Sequence, residues 1–168
     1  MPNSNFLMSG VIGGDLTQAT TATNFALGSR AIGNDGSIYQ YCVSLTALVA
    51  YDCVVIDSAN TVNPITGPRA RTAVQIGFAM HNWVAAGLAG WVRLTGAGPS
   101  MLVRTIVSTL PNVPLYTSDT VGQLTGTTAT LSHQQIFGVA LLATNASAGQ
   151  ATTAVAAWPT VRWPNLHS

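Results

Sequence analysis

The sequence predicts a mainly β protein, built as a small β-barrel or sandwich, and three observations support this fold class. From Ser37 onward, short segments typical of strands alternate with turn sequences rich in Gly, Pro, Asn and Ser. Threonine and glycine are frequent, whereas Glu and Lys, which favour helices, do not occur. The hydrophobic content of 48 % excludes general disorder.

Residues 1–36 differ from the rest and are predicted to form an extended N-terminal arm that a partner orders. They are rich in Gly, Asn, Ser and Thr, and they sustain no helical period. The domain proper is expected at residues 37–163, with a short C-terminal tail at 164–168. Isolated apolar residues along the arm are candidate anchors on a partner: Phe6, Leu7, Val11, Ile12, Phe25 and Leu27.

The strands of the domain are predicted in order, joined by tight turns. Ile38–Leu45 and Asp52–Ile56 are expected to form the first hairpin, with Cys42 and Cys53 as small buried side chains or, alternatively, a cross-strand disulfide. A second hairpin is expected across the loop Gly96–Ser100, and any helix is expected to be short, with Thr46–Ala50 as one candidate. The other predicted strands are Val74–Met80, Gly90–Thr95, Met101–Val107, Val113–Thr117, Gly122–Thr125, Ile136–Ala143 and Ala151–Ala157.

Charged residues are unusually sparse. Six Arg and five Asp make up 7 % of the chain, against about 25 % in an ordinary soluble domain. A folded monomer of 17.4 kDa exposes roughly 7,900 Å², which leaves about one charge per 700 Å² of surface. Because monomers seldom expose apolar patches larger than a few hundred Å², the composition indicates a component of a protein assembly.

The same composition argues against several other classes. A net charge of +1 with scattered arginines gives no basic patch for nucleic acid. The longest apolar stretch, Ile76–Val92, is interrupted by His81 and Asn82 and predicts no membrane span. The N-terminus lacks the positive region of a signal peptide, so we expect the chain to be made and folded in a cytoplasm.

No catalytic constellation can be recognised in the sequence. His81, His133 and His167 are far apart, and none has a Cys or carboxylate at metal-ligand spacing. Asp52 and Asp57 bracket a strand and are expected to point to opposite sides of it. We therefore predict a protein that is not an enzyme, with no cofactor, no metal and no small-molecule substrate.

Large aromatic and paired basic residues are the candidate contacts with other protein. Tryptophan is enriched at the energetic centres of interfaces, although filling the core is the alternative role. Trp83, Trp158 and Trp163 are the candidates, the last two lying in a Pro-containing tail. Arg69 and Arg71 are expected to pair with carboxylates of a partner, the alternative being a solvated loop.

The order of strands and glycine turns resembles that of the head decoration, or capsid cement, proteins of tailed bacteriophages, the group that includes the lambda head decoration protein. The resemblance covers residues 37–163. It rests on the segments Tyr51–Asp57, Gln75–Ala79, Gly90–Gly98, Val113–Thr117 with Gly122–Leu124, and Phe137–Leu141 followed by Asn145–Gly149.

The resemblance implies a β-tulip-like domain that forms a homotrimer on the outer surface of the virion and bridges subunits of the major capsid protein. Assembly would take place in the host cytoplasm. Two alternatives stay open at this point. One is a structural subunit of a phage tail tube or tip, and the other is a glycan-binding or receptor-binding module in which Trp83 and Trp91 stack on sugar rings.

Overall fold

The computed structural model describes residues 7–8, 18–21, 24–33, 36–95, 101–127, 133–145 and 151–161. Strands make up 44 % of the described residues and helix 3 %, which confirms the mainly β prediction. No helix in the described ranges is long and apolar enough to cross a membrane. The elements are β1 (Leu7–Met8), β2 (Arg30–Gly33), β3 (Ile38–Ser44), β4 (Cys53–Ile56), β5 (Thr61–Pro64), α1 (Gly67–Ala70), β6 (Gln75–Ala79), β7 (Ala89–Arg93), β8 (Leu102–Arg104), β9 (Leu115–Thr117), β10 (Leu124–Thr125), β11 (Gln135–Leu141) and β12 (Ala151–Val161).

Five strands close into a small barrel, as the sequence predicts. Strands β3, β5, β4, β6 and β7 are hydrogen-bonded in that order, and β7 returns to pair with β3. Strands β1 and β2 extend this sheet from β3. A second sheet, in the order β10-β9-β11-β12-β8, packs against one side of the barrel.

The alternation of side chains along each strand divides the core into separate clusters. On β4, Val54 points into the barrel, whereas Cys53 and Val55 point outward against the second sheet. All four residues of β4 are buried because protein covers both faces of that strand. The barrel interior is narrow, and glycine occupies inward positions at Gly77 and Gly90, beside Val92 and Trp83 respectively.

Two predicted hairpins are wrong. Strand β5 lies between β3 and β4, so Ile38–Leu45 does not pair with Asp52–Ile56. Strand β8 pairs with β12 rather than with β7, so Gly90–Thr95 and Met101–Val107 form no hairpin across 96–100, a loop that lies outside the described residues. In the second sheet, β9 pairs with β10 and β11 pairs with β12.

Part of the segment predicted as an arm packs on its own barrel. The ring of Phe25 lies 5.2 Å from that of Tyr41 and 5.2 Å from that of Trp91, measured between centroids. The backbone N–H of Asn24 donates to the Tyr41 hydroxyl at 3.3 Å. These contacts cover the outward face of β3 and β7, where Tyr41 and Trp91 are buried.

Candidate interaction surfaces

Two loops close one end of the barrel. The loop 45–52 joins β3 to β4, and the loop 80–88 joins β6 to β7. Leu48 and Trp83 exchange two backbone hydrogen bonds of 2.9 Å as an isolated antiparallel bridge. Both side chains point into the barrel, and Trp83 is fully buried there. The Trp83 ring therefore fills the barrel from this end and holds the two loops together.

Of the four residues that flank Leu48 and Trp83 in the chain, three are exposed and apolar, whereas Asn82 is exposed and polar and its amide oxygen accepts the Ala50 N–H at 2.8 Å. Successive side chains of extended backbone point to opposite faces. Val49, which follows Leu48, and Val84, which follows Trp83, therefore face solvent. Val84 is 84 % exposed, Leu45 53 % and Val49 48 %. Residues 45–51 and 80–88 contain no Asp or Arg. We call this surface the apolar end; its exposed members are Leu45, Ala47, Val49, Val84, Ala85 and Ala86.

Asp52 fixes the loop of the apolar end to the second sheet. Its carboxylate accepts the Val49 N–H at 2.9 Å and pairs with the guanidinium of Arg104 on β8. Burial raises the pKa of Asp52 above its usual 3.8, although the Val49 hydrogen bond and the Arg104 charge act in the opposite direction. Gly122 lies so close that a Cβ there would be 2.4 Å from the Asp52 carboxyl carbon. The Asp52 carboxylate is thus paired within the molecule and does not face a partner.

A second surface carries the exposed charges of the barrel. Asp57 follows β4 at the end opposite to the apolar loops, and its carboxylate accepts the N–H groups of Ala59 and Thr61, both at 2.9 Å. Burial alone would raise the pKa of Asp57, but the hydrogen bonds from Thr61 and Ala59 outweigh it and hold the pKa below 3.8. A cleft of about 120 Å³ runs from Asp57 along the outside of β4 and β5 to Arg69. We call it the charged cleft.

The structure places the candidate contact residues in different environments. The prediction that Trp83 contacts a partner is wrong, because its side chain fills the barrel and is not available to a partner. Phe25 packs on its own barrel, while Leu27, Arg69 and Arg71 are exposed. The backbone of Leu7 pairs with Gly33. The remaining candidates, or their side chains, lie outside the described residues: Phe6, Val11, Ile12, Trp158 and Trp163.

The two cysteines are free and lie in separate cores. Cys42 points into the barrel and Cys53 toward the second sheet, so the alternative of a disulfide is excluded. Burial raises the pKa of the Cys42 thiol to about 12 and that of Cys53 still further. Since the thiolate is the reactive form, both side chains serve as packing groups.

The polar side chains that carry chemistry in other proteins are dispersed here. His81 stacks on Trp83, with ring centroids 5.7 Å apart. The Nε2 atom of His133 lies 3.3 Å from Asp119 Oδ1. Within the described ranges, no three His, Cys, Asp or Glu side chains are grouped so that they could hold a metal ion. Trp91 is buried like Trp83, so neither ring presents a face to a sugar.

Sequence reasoning missed the apolar end itself. The available signal is the apolar stretch Ile76–Val92, which continues through the loop between β6 and β7 instead of turning polar. Comparisons with protein-family models, with curated proteins and with solved structures found no match. The assignment of a function therefore depends on the surfaces that this chain presents.

Proposed function

We propose that this chain is a structural virion protein that binds the outside of a phage capsid as an oligomer and stabilises the shell by bridging capsid subunits. The observation that carries the proposal is the apolar end. Val84, which is 84 % exposed, lies in one of two adjacent loop segments, 45–51 and 80–88, that contain no Asp or Arg. An exposed apolar surface of this kind is typical of a site that other protein covers.

The barrel is well suited to hold such a surface in place. Trp83 and Leu48 anchor the two loops from inside, and the Asp52–Arg104 ion pair anchors one of them to the second sheet. A preformed surface loses little conformational entropy on binding. Segments that connect the strands of the second sheet expose further apolar side chains, among them Leu110 and Leu142. One copy thus offers more than one apolar surface, as a protein that bridges subunits requires.

Oligomerisation explains how weak individual contacts hold a shell together. In a homotrimer, three copies of the apolar surface engage neighbouring capsid subunits at once, and binding gains from the resulting effective concentration. Uncharged contacts also change little with salt, because there is little Coulomb attraction to screen. The partners in this proposal are the major capsid protein and further copies of the chain.

The first test is the mass of the purified protein in solution, by size-exclusion chromatography with light scattering. The proposal predicts a species near three times 17.4 kDa. The second is co-sedimentation with empty shells from the phage that encodes the chain, prepared without this protein. Bound protein should raise the temperature at which those shells rupture.

Other outcomes of these measurements would overturn the proposal. Hexameric rings or open-ended polymers would indicate a subunit of a tail tube or tip. A protein that stays monomeric at high concentration and does not sediment with shells is not a decoration protein. Binding to a glycan array would then be measured next, since a receptor-binding module is the remaining alternative.

A further inference from the structure

The charged cleft is shaped by the short helix α1. Thr66 caps the helix and accepts the Arg69 N–H at 3.3 Å, with Pro68 in the first turn. This geometry directs the Arg69 side chain back over β5, where Nη1 donates to the Pro64 carbonyl oxygen at 3.1 Å. The cleft of about 120 Å³ is lined by Val55, Ile56, Asp57, Thr61, Asn63, Arg69, Thr72 and Ala73.

The arginines of this region have no acidic partner in the described part of the chain. Arg69 uses one of its five N–H groups on Pro64, and neither Arg69 nor the exposed Arg71 forms an ion pair with a described residue. The Asp57 carboxylate is held instead by three donors of its own loop, the N–H groups of Ala59 and Thr61 and the Thr61 hydroxyl. The lining of the cleft thus carries one negative and one positive side chain, and the Asp57 carboxylate is occupied by donors of its own loop while Arg69 keeps N–H groups for another acceptor.

We propose that the charged cleft binds a carboxylate side chain on an acidic segment of another protein, with Arg69 as the donor that lines the cleft and the exposed Arg71, at the C-cap of α1, as a second donor outside the lining. A guanidinium presents parallel N–H groups that match the two oxygens of a carboxylate. The hydroxyl of Thr72 and the amide of Asn63 line the same cleft. The inference does not require the partner to be a capsid protein, and it adds a charged contact to the apolar one.

The dimensions and charges of the cleft favour an acidic peptide over other anions. Sites for drug-sized ligands have volumes of about 300–1,000 Å³, whereas this cleft of about 120 Å³ accommodates one side chain. A nucleic acid would bring several phosphates toward the Asp57 carboxylate and would find no continuous basic stripe on the described residues. Thr61, which is bonded to Asp57, and Pro64, which is bonded to Arg69, are three residues apart on β5, about 10 Å along the strand. A single carboxylate bound at Arg69 therefore stays away from the Asp57 charge.

The composition of the chain offers a direct assay. With six Arg and no Lys, the arginine Nε–Hε signals form a small set in a ¹⁵N-correlated NMR spectrum. The probe is an acetylated, amidated tetra-aspartate peptide, and the corresponding tetra-asparagine peptide is the uncharged control. We expect saturable shifts of the Arg69 and Arg71 signals with the aspartate peptide alone, suppressed at high salt, while the signal of buried Arg93 does not move.

Variants separate a specific site from general charge attraction. Arg69→Gln should weaken tetra-aspartate binding at least about tenfold, as expected for loss of a charge-assisted hydrogen bond. Arg30→Gln is the matched control, because it removes the same charge from an arginine already bonded to Gln40 and Gln75. Equal effects of the two variants, or no saturable shift at Arg69, would overturn the proposal.

A short single-stranded DNA and inorganic phosphate serve as competing probes. The proposal predicts that neither shifts the Arg69 signal more strongly than the aspartate peptide does. Preferential binding of either would overturn it in favour of a phosphate site. None of these readouts involves trimers or shells, so failure here and failure of the proposed capsid function are distinguishable.

Discussion

The two ends of the barrel differ in what they expose. At the apolar end, residues 45–51 and 80–88 contain no Asp or Arg, enclose the Trp83 ring and present Val84 to solvent. At the other end of β4, Asp57 begins a cleft that runs along the side of the barrel to Arg69, so the Asp57 charge lies away from the apolar loops. The comparison shows that the few charged residues are not spread evenly over the surface. This distribution keeps one surface free of charges that would have to be desolvated in a contact with other protein.

Removal of the Trp83 ring should have the largest effect, because this ring supports the apolar end from inside. Trp83→Ala leaves a cavity against Leu48 and Val92 and should lower the free energy of unfolding by about 3–5 kcal/mol. The measurement is urea unfolding followed by circular dichroism. Trp83→Phe is the control and should lose clearly less. A loss below about 1 kcal/mol for Trp83→Ala would contradict the role of this side chain in filling the barrel.

Overfilling the barrel should have the next largest effect. In Gly77→Ala, the new Cβ would lie 2.4 Å from Val92 Cγ1 and 3.0 Å from the Arg93 carbonyl oxygen. We expect a loss of about 1–3 kcal/mol in the same unfolding experiment. Val92→Ala in the Gly77→Ala background should recover part of it, because the shortened side chain removes the closest contact. Strictly additive losses would show that the two positions do not share one space.

The two aspartates that bracket β4 should respond to pH in opposite directions. The folded-state pKa of Asp52 is raised, so the folded protein holds this proton more tightly than the unfolded chain, and stability falls as the pH rises from about 4 through the raised value. The folded-state pKa of Asp57 is lowered, so its contribution is present above about 4 and is lost as the pH falls through the lowered value.

Unfolding curves between pH 2 and pH 7 test this contrast. Asp57→Asn should reduce the decrease in the free energy of unfolding as the pH falls below about 4. Asp52→Asn should instead remove the fall in stability above about pH 4, on top of a uniform loss from leaving Arg104 without its partner. The same change in slope for both variants would contradict the environments described for the two carboxylates.

The positions of strands are largely predictable here from local sequence, but their partners are not. The segment Gln75–Ala79 has the apolar, turn-bounded pattern of a strand, and β6 occupies it. Strand β5 was missed because Asn63 and Pro64 read as a loop, and its insertion between β3 and β4 depends on closure of the barrel, which no local pattern encodes. The Thr66-Gly67-Pro68 sequence is a recognisable helix start that indicates α1 in retrospect.

The sequence predicts what types of contact surface the chain has, but not which residues form them. Sparse charge indicates a covered surface, and the pairing of Arg69 and Arg71 with carboxylates of a partner stays a prediction. Trp83 was chosen because tryptophan is common in interfaces, yet the backbone bridge to Leu48 turns its ring inward. The same bridge turns Val84 outward, and only the pairing of two loops distant in sequence decides which of these neighbours is exposed.

The central claim is that the apolar end is a protein contact surface, and two matched valines test it most directly. Val84 and Val74 are 84 % and 71 % exposed, but only Val84 belongs to the apolar end. Val84→Asp and Val74→Asp should each change the stability of the monomer by no more than about 0.5 kcal/mol. Solution mass and shell co-sedimentation are then compared. We expect Val84→Asp to lose both the oligomer and the binding to shells, and Val74→Asp to retain both. Full assembly of Val84→Asp, or equal loss in the two variants, would contradict the claim.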